Sequence, residues 1–195
     1  KKHRGGARIG HDTAYDHMFL DGLEDAYEAG RAMGTFAQDT ADGYQLTREA
    51  QDDYALASLS RAKAAITDGA FAAEIAPVTI AGRKGDVVVD TDEAPGKGMP
   101  DKIPTLKPAF AKDGTITAAT SSSISDGAAA VVLTRQSVAD AKGAKPVARL
   151  VAHAAHAQEP KDFTIAPVGA INKVLAKAGW TIADIDLFEV NEAFA

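Results

Sequence analysis

The sequence predicts an α/β fold, on three observations. Residues 48–67 repeat their apolar side chains at helical spacing behind a capping threonine, Thr47. The runs Ala128–Leu133, Val147–Ala152 and Ile185–Val190 have the length and apolar density of buried strands. The last two flank a helical stretch opened by Pro167 and stopped by Gly179, the pattern of a parallel strand pair joined by a crossover helix.

Composition narrows the function classes. Of the 195 residues, 46% are hydrophobic and 25% charged, as in an ordinary globular protein with a real core. A formal net charge of −6 gives no basic surface of the kind that nucleic acid or an anionic membrane attracts, so neither is an expected partner. With no cysteine, disulfides, thiolate metal sites and thiol nucleophiles are excluded within these residues. No apolar run approaches a membrane span. The opening Lys1-Lys2-His3-Arg4-Gly5-Gly6 starts no hydrophobic signal segment, so the expected location is cytoplasmic.

In chain order, residues 1–22 are rich in Gly, His and charge and read as irregular loop. His3, His11 and His17 lack the i, i+4 spacing of a helical metal site, and no metal is expected there. From Leu23 a helix is expected with Leu23, Ala26, Tyr27 and Gly30 on one face, interrupted at Met33-Gly34. A second short helix is expected from Thr35 to about Ala41, ended by Asp42-Gly43. In the long helix 48–67, Leu56, Leu59, Ala62 and Ile66 form the expected apolar stripe, and Gly69 terminates it. Ile75–Ile80 and Asp86–Val89 are β-rich around Gly82-Arg83-Lys84-Gly85, a hairpin with a solvated basic tip. Residues 91–115, broken by Pro95, Pro100, Pro104 and Pro108, read as a surface excursion pinned by Leu106, Ala109 and Phe110. Ser137–Gly143 reads as a short helix. His153 and His156, at i, i+3, have no carboxylate at a partner turn to complete a metal site. In the helix that opens at Pro167, Val168, Ile171, Leu175 and Ala178 make the expected inward face.

Two stretches carry chemistry. Ile116–Gly127 runs through small hydroxyl and methyl side chains, including Ser121, Ser122 and Ser123. A nucleophilic serine, a plain polar loop and the lining of a narrow channel are the three readings. No Gly-x-Ser-x-Gly elbow surrounds the serines, and small residues let a slim ligand approach the backbone, which favours the channel. The second stretch is Asn191-Glu192-Ala193-Phe194-Ala195, at the carboxyl end of an expected strand, where α/β sheets bind ligands. An uncharged amide there can stabilise developing negative charge, or it can simply cap a helix; the residues alone leave both open.

The segment Phe188–Ala195 resembles the NEAF motif of the thiolases. Asp16–Leu23, Met33-Gly34, Arg48–Asp52, Leu106–Phe110 and Ser125–Ala130 resemble further motifs of that family in the family's order, so the likeness spans essentially the whole chain. Pro160–Pro167 looks most like the acetoacetyl-CoA type. The resemblance implies a partial thiolase-like α/β fold: a loop domain over 1–123, the end of a first α/β half over 124–146 and the start of a second over 147–195. It implies coenzyme A or acetyl-CoA as substrate, with no permanently bound cofactor, and a homodimer or homotetramer for the intact enzyme. It further implies that Leu23, Met33 and Phe110 touch coenzyme A, that Ala118 and Ser122 line its pantetheine channel, and that Ala193 and Phe194 close the channel. Asn191 would hold a water that stabilises an oxyanion, its one catalytic role.

The chain departs from the family pattern at Ala32, where a histidine often stands, and at Ala94, in place of the tyrosine of potassium-binding relatives. Lys97 is the nearest stand-in for a basic residue that stacks on adenine. The family's nucleophilic cysteine, its Gly-His-Pro histidine and its second cysteine have no counterpart in these residues. The expected function is therefore acetyl transfer between acyl-CoA thioesters by an intact enzyme, with these 195 residues inactive alone. A non-catalytic CoA or acyl-lipid binding module is the alternative, and a serine hydrolase built on Ser121–Ser123 stands well behind both.

Overall fold

Thr47 accepts a hydrogen bond from the Ala50 amide through its hydroxyl, at 3.2 Å, and so starts the longest helix of the chain. The computed structural model describes residue 6 and residues 9–195; the loop reading over Lys1–Gly5 and His3 lies outside the described residues. The helices are α1 (Met33–Gly43), α2 (Arg48–Thr67), α3 (Glu93–Lys97), α4 (Gln136–Ala141) and α5 (Ala166–Ala178). The strands β1 (Val78–Ile80) and β2 (Val87–Val89) pair antiparallel, with Val78 opposite Val89 and Ile80 opposite Val87. Short turns of other helical types occupy Phe19–Leu23, Pro100–Thr105, Pro160–Ile165 and Ile182–Asp184.

Local signals translate directly into these elements. Gly69 takes a φ of 67° just beyond α2, and Gly179 a φ of 72° at the end of α5, the left-handed conformation that stops a helix. Gly85 donates to the Gly82 carbonyl at 3.1 Å and closes the hairpin, and Pro167 sits in the first turn of α5.

The core lies where α1 and α2 meet the turn Pro100–Thr105 and the segment 115–120. Phe36, Ala37, Ala41, Ala55, Ile103 and Ile116 are its buried apolar members. Phe36, 1% exposed, contributes on the order of 1.5–3 kcal/mol by its burial, and the Arg31 guanidinium lies 3.8 Å from its ring centre. Arg48 binds Asp52 at 2.7 Å and donates to the Ile103 carbonyl at 3.1 Å, fastening the proline-rich excursion to α2.

Several expectations are corrected. The runs 128–133, 147–152 and 185–190 form no helix and pair with no strand, and Val132, Val147 and Leu187 are among the most exposed apolar residues. A strand is completed only by a neighbour that takes up its backbone hydrogen bonds, and no such neighbour lies beside them among the described residues. The parallel pair across α5 is therefore absent there; among the described residues the one sheet is the β1–β2 hairpin. The expected helix from Leu23 is instead a turn ending at Leu23 and a loop. Asp25 accepts hydrogen bonds from the Tyr27 and Glu28 amides at 2.8 and 2.6 Å, a side-chain turn that competes with helix. Met33-Gly34 starts α1 rather than interrupting it. The most buried positions of α2 are Gln51, Asp52 and Ala55, with Leu59 and Ala62 half-buried and Ile66 exposed, so the inward face is rotated and more polar than the apolar spacing suggests. In α5 no residue is fully buried, and Val168 is exposed.

Candidate functional site

The two chemically informative stretches, far apart in sequence, meet. Ser121 and Phe194 form an antiparallel bridge, in which the Ser122 amide donates to the Ala193 carbonyl at 2.9 Å and the Ala195 amide to the Thr120 carbonyl at 2.8 Å. The 115–121 side of this junction is rigid because its polar groups are satisfied internally. The Thr117 and Thr120 side chains are buried, and Thr117 donates its amide to the Thr120 hydroxyl at 2.8 Å. The buried Gln38 carboxamide accepts from the Thr115 and Ile116 amides at 2.9 and 3.1 Å, while Gln51 donates to the Thr115 hydroxyl at 2.8 Å. Leaving such buried amides unpaired costs about 1–3 kcal/mol each, so the two glutamines hold the loop in one conformation. Sequence reasoning missed them; a glutamine on the core-facing side of each helix was the available signal.

An aromatic pair extends the junction. The Phe110 and Phe194 rings meet edge to face, with centroids 6.0 Å apart and planes at 83°. Phe110 lies directly over Gly34, where an added Cβ would fall 2.2 Å from the ring, so only glycine admits this contact without movement. The structure thus strings Met33-Gly34, Phe110, Phe194, Ala193 and Ser122 into one neighbourhood. Leu23 is exposed at the end of its turn, and Ala118 is exposed beside buried Thr117; neither has a recorded bond to the junction.

Among the cavities that adjoin the 190–195 segment, two share Ala195 in their lining. One, of about 370 Å³, is lined by Asn191, Ala193 and Phe194 with Thr40, Phe163 and Thr164. The Thr40 and Thr164 hydroxyls share a hydrogen bond of 2.6 Å across it. The other, of about 450 Å³, is lined by Ser122 and Glu192 with Tyr54, Ser58 and Asp92. Asn191 and Ser122 therefore line different cavities that meet at Ala195. The Tyr54 phenol donates to the Glu192 carboxylate, and that bond holds the phenol above its ordinary pKa. A further cavity, about 610 Å³, is a mainly apolar space between α2 and the hairpin, lined by Ala62, Phe71, Ile75 and Pro95 among others.

Other candidate residues have simpler roles. Lys97 pairs with Glu93 on its own helix at 2.5 Å, and Arg83 and Lys84 are exposed at the hairpin tip. The segment holding His153 and His156 is not helical, so the two side chains share no helical face; the His156 ring packs on Gly169 of α5. Among the described residues no group of three His, Asp or Glu side chains is arranged to hold a metal ion, and no helix is long and apolar enough to cross a membrane.

The family described as thiolase, N-terminal domain, matches residues 1–137, and that described as thiolase, C-terminal domain, matches residues 144–195. A probable acetyl-CoA acetyltransferase of Dictyostelium discoideum is 48% identical over 195 residues, all of this chain and 47% of the relative. An acetyl-CoA acetyltransferase of Rhizobium meliloti is 47% identical over 193 residues, 98% of this chain and 49% of its own. The crystal structure of the Bacillus anthracis acetyl-CoA acetyltransferase superposes with a TM-score of 0.91 at 40% identity, covering 100% of this chain and 49% of that one. A thiolase from Ascaris suum in complex with coenzyme A gives 0.88 at 41% identity, covering 98% and 49%. The chain spans about half the length of the relatives it matches.

Proposed function

Because this chain belongs to the thiolase family, we propose that the enzyme containing it transfers acetyl groups between acyl-CoA thioesters, and that these residues supply its coenzyme A channel and its oxyanion-stabilising amide. The observation that carries the reading is the junction of the small-residue loop with the 193–195 segment, which brings Ser122, Ala193, Phe194 and Phe110 together beside Asn191. The fold of a relative crystallised with coenzyme A supports the same substrate.

In this reading a cysteine thiolate from elsewhere in the enzyme attacks the thioester carbonyl, and the CoA thiolate leaves as the acyl-enzyme forms. A second acyl-CoA, deprotonated at its α-carbon, then attacks the acyl-enzyme carbonyl and the cysteine thiolate leaves, giving the condensation product. In the thiolytic direction the cysteine attacks the 3-keto carbonyl of acetoacetyl-CoA, the acetyl-CoA carbanion leaves and is protonated, and CoA then takes the acyl group from the cysteine. Asn191 orients a water toward the oxyanion, and Ala118 and Ser122 flank the pantetheine arm. Leu23, Met33 and Phe110 contact the coenzyme from the loop domain, 1–123, while 124–146 ends one α/β half and 147–195 begins the other. The exposed apolar runs 131–133, 147–151 and 187–190 pack against further strands of the whole enzyme, which assembles as a homodimer or homotetramer in the cytoplasm.

The channel is tested by narrowing it. Ser122→Trp in the full-length enzyme raises KM for acyl-CoA by roughly tenfold, equivalent to about 1.4 kcal/mol, with a smaller effect on turnover at saturation. A wild-type KM in steady-state kinetics would remove Ser122 from the channel.

A further inference from the structure

We infer that Tyr54 and Ser58 of α2 are a positioning pair that grips the Glu192 carboxylate and thereby sets the direction in which Asn191 presents its amide. The inference rests on the proposed role of Asn191 and adds a device that holds it. Tyr54 and Ser58 stand one helical turn apart on one face of α2. The Tyr54 phenol donates to Glu192 Oε1 and the Ser58 hydroxyl to Oε2 at 3.3 Å, so each carboxylate oxygen has its own donor. Hydrogen bonds to a carboxylate are stronger than neutral ones, and α2 is a firm base, capped at Thr47 and tied to the turn Pro100–Thr105 by Arg48.

The grip matters because of where the backbone is otherwise held. Among the described residues the pairing with 120–122 begins at Ala193, and no backbone hydrogen bond holds 186–192. Glu192 is thus the last point of attachment before Asn191. The two neighbouring residues line different cavities: Glu192 the one with Tyr54 and Ser58, and Asn191 the one with Phe163 and Thr164. Fixing one side chain in its cavity fixes the rotation of the segment and so the aim of its neighbour in the other. The phenol, held above its usual value, stays protonated and remains a donor through the neutral range.

The test is steady-state kinetics on the full-length enzyme with Tyr54→Phe, Glu192→Ala, Glu192→Gln and Asn191→Ala, alone and combined. Tyr54→Phe should lower kcat roughly tenfold while leaving KM for acyl-CoA unchanged, as for a reacting group loosened rather than removed. Glu192→Ala should match it, and Glu192→Gln, which keeps an acceptor for the phenol, should recover part of the loss. In an Asn191→Ala background Tyr54→Phe should cost nothing further, because the two act through one group. Wild-type kcat in Tyr54→Phe beside a crippled Asn191→Ala overturns this inference alone. Equal losses in both backgrounds, or a raised KM, overturn it by showing a general structural effect. Wild-type kcat in Asn191→Ala overturns the reading on which it rests.

Discussion

In the full-length enzyme, Asn191→Asp turns over roughly 10²–10³-fold more slowly than wild type, a loss of about 3–4 kcal/mol of transition-state stabilisation, with little change in affinity for coenzyme A. Asparagine serves a developing oxyanion because its amide donates hydrogen bonds without bringing charge. Aspartate keeps the size but turns a negative group toward a negative centre, so its defect should equal or exceed that of Asn191→Ala. The setting suits the role: Asn191 borders a cavity of about 370 Å³, and among the described residues no recorded side-chain hydrogen bond occupies its amide. Wild-type turnover in both variants would make Asn191 a structural cap. A collapse of CoA affinity with turnover preserved at saturation would move it into the binding channel.

Complete loss of activity is expected for the 195-residue polypeptide tested by itself. It contains no cysteine, and the thiolate that takes the acyl group in the proposed reaction must come from other residues. Purified 1–195 should therefore neither cleave acetoacetyl-CoA nor condense acetyl-CoA above the buffer rate in a spectrophotometric assay. Turnover by this polypeptide would require a different nucleophile, with Ser121–Ser123 the first place to look, and would displace the thiol mechanism.

Legibility in the sequence followed the range of the forces involved. Helix α2, the β1–β2 hairpin and α5 are written in local chemistry: the Thr47 hydroxyl on the Ala50 amide, the Gly82–Gly85 turn, Pro167 and left-handed Gly179. The runs at 128–133, 147–152 and 185–190 carry strand composition, but pairing is non-local and composition cannot provide a neighbour. The segment after Leu23 had helical spacing, yet Asp25 captured two amides for its own turn. The two stretches of the candidate site, 116–127 and 191–195, were singled out separately, through motif order rather than periodicity. Their antiparallel junction, the Gln38–Thr115–Gln51 cluster behind it and the Tyr54–Glu192 bond beside it are contacts between distant residues, visible only once the chain is folded.

The most direct test of the account is a crystal structure of the full-length enzyme with coenzyme A bound. The pantetheine arm should lie within about 4 Å of Ala118 and Ser122, with its thiol end beside Phe194 and Asn191. A coenzyme seated instead in the apolar cavity between α2 and the hairpin, against Phe71 and Ile75 and away from Ser122, would contradict it.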